Sequence, residues 1–271
     1  MNARSAATGL PARRSGRPGR TAIFAAVLWV LSVVSLAIGV LIPPSSGPNA
    51  PDLVSILFAG LAVVLPVTVG AILVTRLPRN PIGWLLLLSG LSLALNLGAS
   101  GLVGYRLDDI ARGASGADWI ALLAQVTFLT FVVGLGLYVP RLYPSGHLPS
   151  RRWRPVALLG IAAIVCGTLK NLLLPFPSGT YPPSVTNPLA VGGAAANLAS
   201  LLDVLTTLIG VIALPLVATS LVIRYRRASG IEREQLKWIA SVAAIVVPAL
   251  VVGIVLSSET SGTLGAISTV A

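Results

Sequence analysis

Few side chains in this 271-residue sequence could do chemistry. Four polar residues within or at the edge of long apolar blocks stand out: Asn96, Lys170, Asn171 and Asp203. Such groups are costly in hydrocarbon, so inside a membrane they are functional candidates by default. Lys170 and Asn171 close one apolar block and Asp203 opens the next, so opposite charges stand near the outer ends of neighbouring spans. An ammonium and a carboxylate there, with amides beside them, could receive a ligand or register a change in the membrane. The competing reading has Lys170 reaching along its own stem to water and Asp203 capping a helix. Catalysis has less to stand on. Glu232 and Glu234 flank Arg233 in a solvated pattern. The single His147 excludes a multi-His metal site. Cys166 has no intrachain partner for a disulfide. No phosphate-binding loop, HExxH, CxxC or GxSxG motif is present, and neither a catalytic residue, a metal nor a cofactor is expected.

The elements that must position these residues follow from composition. Hydrophobic residues make up 55% of the chain and charged ones 10%, with a mean hydropathy of +0.90. A soluble domain carries about 25% charged residues, and disorder requires low hydrophobicity. The apolar blocks run to about twenty residues, the length at which a helix crosses a hydrocarbon core of about 30 Å. Backbone amides cannot stay unpaired there, and the blocks lack the alternation of a barrel strand. The fold class is therefore all-α, a polytopic transmembrane bundle of about seven spans. They are expected at about Thr21–Ile42, Leu53–Thr75, Ile82–Val103, Trp119–Tyr138, Val156–Leu174, Leu201–Ile223 and Trp238–Leu256. Residues 1–20 read as a disordered basic tail and 21–256 as the membrane domain. Residues 257–271 read equally as a short tail or the start of a truncated eighth span.

Charge sets the orientation. Of 19 Lys and Arg, 16 fall in the tail and the connections Arg76–Pro81, Pro140–Pro155 and Arg224–Lys237, and 3 on the other side. Six of the 8 acids take the opposite side. The basic side is the expected cytoplasm, with the N-terminus inside. The net charge of +11 thus reports topology and calls for no nucleic acid. Arg151, Arg152, Arg154, Arg226 and Arg227 are the expected contacts to anionic lipid head groups. Glycines at 60, 70, 90, 134, 136 and 160, and the Ala94–Gly98 pair, permit close helix approach.

Three basic connections are distinctive. In RNPIGWLLLLSGL, Asn80 can cap a helix that Pro81 opens. In LYPSGHLPSRRWRPVALL, Pro144-Ser-Gly signals a turn. In RYRRASGIEREQLKWIA, Gly230 breaks a helix, and Glu234–Lys237 is the available acid–base pair at helical spacing. These phrases, in this order, resemble the membrane-embedded N-terminal region of actinobacterial sensor histidine kinases, over most of residues 70–250. The resemblance implies an eighth span, then a dimerisation helix with a phosphoacceptor His and an ATP-binding domain. None of those motifs occurs in this sequence, and His147 in its turn is not assigned that role. The expected function is a membrane input or sensor-type module without its own catalytic domain, in a bacterial plasma membrane. The expected partners are anionic lipid, a second copy of the chain and a cytoplasmic signalling protein. The alternative is a small transporter or permease, in which Pro66, Pro215 and Pro248 would mark helix discontinuities.

Overall fold

The computed structural model describes residues 19–42, 53–105, 116–138, 142, 154–177, 181, 183–231, 233–234, 236–237 and 241. Six helices fill them: α1 Arg20–Leu41, α2 Leu53–Arg76, α3 Pro81–Tyr105, α4 Ala117–Val133, α5 Arg154–Leu173 and α6 Gly193–Arg227. No strand occurs among the described residues. Five of the helices are long and apolar enough to cross a membrane. The exception, α4, has 17 residues but runs without a break into a π-helical turn, Gly134–Tyr138. The expected span 238–256, apart from Ser241, lies outside the described residues, as do the tail 1–18, His147, Arg151 and Arg152.

The side chains are distributed for an apolar solvent. On α1, Ser32 and Ser35 are buried while Ile23, Phe24, Val27, Val30 and Val34 are exposed. In water that arrangement would leave a large apolar surface wet. In lipid, small residues drive packing and large apolar ones cover the outside. The chain is plainly that of a membrane protein.

Contacts fix the directions. Gly98 and Gly101 of α3 face Ser35 and Gly39 of α1, in the same order along both helices, so α1 and α3 are parallel. Gly70 of α2 meets Leu87 of α3, and Gly90 meets Val67, so α2 is antiparallel to α3. The same reversal repeats between α3 and α4, α4 and α5, and α5 and α6. One end of the bundle therefore collects the starts of α1, α3 and α5 and the ends of α2, α4 and α6. Exposed Arg20, Arg76, Arg79, Arg154, Arg226 and Arg227 all belong to that end. Asp118 and Asp203 belong to the other.

The helix α3 is the centre. Half of its apolar window is buried, against 17% or less for the other four long helices. It packs on α1, α2 and α4, and the main core comprises Ala25, Leu36, Val63, Val67, Val74, Leu87, Leu93 and Ala94. The α2–α3 turn is built as its residues dictate. Asn80 Oδ1 accepts the Ile82 N–H at 2.9 Å, a side-chain cap with Pro81 at the first helical position. Trp84 Nε1 donates to Pro78 O at 2.9 Å and closes the turn. The α5–α6 pair has its own core of Ala163, Ala213 and Val217 with Val133, and it joins the rest through α4 and the π turn.

The sixth element departs from expectation. It begins at Gly193 and not near Leu201, so Asp203 sits inside the helix and does not cap it. Gly193, at φ +62°, turns the chain into it. The following Ala-rich stretch has strong helix propensity although its hydropathy is low. After α6 ends at Arg227, Gly230 takes φ +57°. Arg233 then stacks on the Tyr225 ring at 4.9 Å, and Lys237 bonds Glu234 at 2.7 Å.

Candidate functional site

The four polar residues divide into two kinds. Lys170 of α5 and Asp203 of α6 form an ion pair between Nζ and Oδ1. Their side chains are 30% and 47% exposed. Along α6, Arg224 lies about 30 Å beyond Asp203 at 1.5 Å per residue, the thickness of the hydrocarbon core. The pair thus marks the edge opposite the arginine-bearing end. No further hydrogen bond from the described residues reaches Asp203 Oδ2, and an ammonium has three donors of which one is used here.

The two asparagines are committed to the scaffold. Asn96 Nδ2 donates to Ala124 O at 2.7 Å, and Asn171 Nδ2 donates to Gln125 O at 2.9 Å. Two successive carbonyls of α4 thus take amides from helices on either side of it. A carbonyl has two lone pairs, so it can serve its own helix and a neighbour together. Thr127 Oγ1 adds bonds to Leu123 O and Ala124 O at 2.9 and 3.2 Å. Lower on the same helix, the π turn re-aims Tyr138, whose hydroxyl donates to Ala157 O on α5 at 2.6 Å. Gly160 leaves the space for that ring, since a Cβ there would come within 2.8 Å of it. Single π turns inside helices recur at functional positions.

A strap formed by the described residues between 174 and 192 leads from α5 to α6 across the end of α3 and the start of α4. Asp118 Oδ1 accepts the Thr186 N–H at 2.8 Å, and Tyr181 donates to Ala121 O at 3.3 Å. Val185 is buried against Val103, Ala117 and Ala121, with the Phe176 and Tyr181 rings stacked edge-on beside them. The strap's anchor is Asn187, which sequence patterning does not single out. Its amide serves the carbonyls of Asn171, Leu172 and Leu174, which the end of α5 leaves without helical partners. The one available signal is the Asn-Pro dipeptide, a turn initiator.

Two outcomes are expected here. Single and double replacement of Lys170 and Asp203 by alanine should give a coupling energy of about 0.5–1 kcal/mol in detergent unfolding, modest because the pair is partly exposed. Additive effects would mean that the two charges act independently. Burial pushes the Tyr181 phenol above its ordinary 10.0, with a hydrogen bond from Ser100 opposing the shift. A raised phenol stabilises the fold fully below pH 10 and loses that contribution as pH climbs through the raised value. Strap release should therefore be alkaline. The difference in phenolate absorbance between wild type and Tyr181→Phe should show this titration above pH 10, and a step at or below 10 would contradict it.

No protein-family model, curated protein or solved structure matches the chain.

Proposed function

We propose that this chain is a sensory input module of a bacterial plasma membrane. It has seven spans, a cytoplasmic N-terminus and no reaction of its own. A cue at the outer edge biases the inner connections between two states. The observation that carries this is the polar chain running from Lys170–Asp203 into the bundle. Asn171, next to Lys170, ties α5 to α4, and Asn96 ties α4 to α3. A change at the pair is thus felt by the helix that bridges both halves. Such a cue shifts an equilibrium only by its differential affinity for the two arrangements.

The segregation of arginines and acids at opposite ends of the described helices supports the orientation. The inner rim suits anionic head groups through Arg154, Arg226 and Arg227, with Arg151 and Arg152 beside them in sequence. The resemblance of the three basic connections to those of sensor histidine kinases is the ground for a cytoplasmic signalling partner and a dimer. Transport is the weaker reading, because α2 and α6 run unbroken through Pro66 and Pro215, whereas transporters bind at broken helices.

Two experiments test the proposal. In a Cys166→Ser background, Ser184→Cys should react with an impermeant maleimide in whole cells, and Arg79→Cys only after permeabilisation. The opposite pattern would invert the topology. With a histidine-kinase catalytic region joined behind the chain, autophosphorylation in vesicles should change on Lys170→Gln or Asp203→Asn. An unchanged rate in both would remove the sensory role.

A further inference from the structure

We propose that the Lys170–Asp203 pair is the head-group site for a phospholipid bearing a phosphate and a primary ammonium, that is, a phosphoethanolamine lipid. This deepens the reading of the pair as the cue-receiving site and rests on it. The pair is itself a zwitterion, with its charges held on adjacent helices. Lys170 has two ammonium hydrogens free of the described residues, and Asp203 has an Oδ2 equally free of them. A phosphate accepts from the first and an ammonium donates to the second. Both protein charges remain paired while the lipid is bound, so neither has to be exposed unpaired at the edge of hydrocarbon.

The surface inward of the pair fits the rest of such a molecule. Asp203, Thr207, Val211 and Pro215 recur at intervals of four and so share one face of α6. Thr207, Val211 and Pro215 are exposed, as are Val204 and Leu208 beside that stripe. From Asp203 to Pro215 the track is about 18 Å long, enough for the depth of one leaflet, about 15 Å. It begins at the charges and turns wholly apolar beyond Thr207, the order in which a lipid presents its head and its chains.

The same chemistry sets the selectivity. A choline head group has no N–H to give Asp203. A phosphoglycerol head has no cation, and Asp203 repels its phosphate. The preferred lipid is therefore the primary-ammonium zwitterion.

The test uses the full chain in phosphatidylcholine vesicles containing spin-labelled phosphatidylethanolamine, phosphatidylcholine or phosphatidylglycerol. Wild type should favour phosphatidylethanolamine over phosphatidylcholine by about fivefold, the scale of one partly exposed charge-assisted hydrogen bond. Asp203→Asn should bring that ratio close to one. Lys170→Gln should weaken both zwitterionic lipids together. Thr207→Trp leaves the pair untouched and obstructs the track, so it should lower binding if the acyl chains lie there, even where a charge variant folds poorly. Equal association of the two zwitterionic lipids with wild type, or a preference that survives Asp203→Asn, would overturn the proposal. So would full displacement by soluble phosphoethanolamine, which would make the ligand a free head group. If the lipid preference fails while the kinase chimera still responds to Asp203→Asn, the sensory reading stands and its cue is another molecule. If the preference holds and the chimera is silent, the lipid site stands without signalling.

Discussion

Replacing Gly98 by leucine is expected to unseat α1 from α3 and to be among the most destabilising single changes at the helix interfaces. A Cβ at Gly98 would stand 2.6 Å from Ser35 O, and one at Gly39 would stand 2.6 Å from Leu97 O. At Gly101 the nearest atom would be the Gly39 Cα, at 2.8 Å. These neighbours are backbone atoms, which cannot rotate away as a side-chain tip could. Overpacking of this kind costs about 1–3 kcal/mol for a small insertion. Gly98→Ala should fall in that range and Gly98→Leu beyond it. Gly60, where a Cβ would meet nothing within 4 Å, supplies the control. Unfolding in detergent, followed by helical circular dichroism, should rank Gly98→Leu far below Gly98→Ala, and Gly60→Leu near wild type. Equal behaviour of the two leucine variants would mean that this seam does not hold α1.

Asn187→Ala should produce the largest effect outside the bundle, because one amide serves three carbonyls at 3.2, 3.1 and 2.6 Å. The residue is 6% exposed, so water does not freely replace it. Each buried acceptor left unpaired costs about 1–3 kcal/mol. Asn187→Asp should be worse still. It keeps the oxygen that accepts Leu189 N–H at 2.9 Å, but it sets a negative charge against those carbonyls. The readouts are proteolytic cleavage within residues 174–192 and the unfolding midpoint, both expected in the order wild type, alanine, aspartate. An aspartate variant as stable as the alanine one would refute the capping role.

Much of the helical layout was legible because hydrocarbon imposes a length and forbids unpaired amides. The ends of α1, α2, α3 and α5 fall within a few residues of the apolar blocks that predict them. The Asn80 cap and the Glu234–Lys237 pair were legible too, since both are local in sequence. The start of α6 was not. Hydropathy reads the residues before Leu201 as a loop, while their alanines favour helix. The pairing of Lys170 with Asp203 was available as one of two readings, because the two helices are sequential neighbours. The destinations of Asn96 and Asn171 left no mark in sequence, as their acceptors are backbone carbonyls on another helix. The π turn was equally hidden, for nothing in Gly134–Tyr138 sets it apart from an ordinary helical end.

The glycine seam between α1 and α3 has a mechanical consequence. Where two backbones touch, neither lipid nor water can wedge between them, and sliding one past the other would first require prising them apart. That half of the molecule behaves as a stiff plate. The other boundary, where α4 meets α5, combines a small apolar cluster around Val133 and Ala163 with a few directional bonds that can be exchanged one at a time. Deformation will concentrate there, so α5 and α6 should swing as a leaf against a fixed frame.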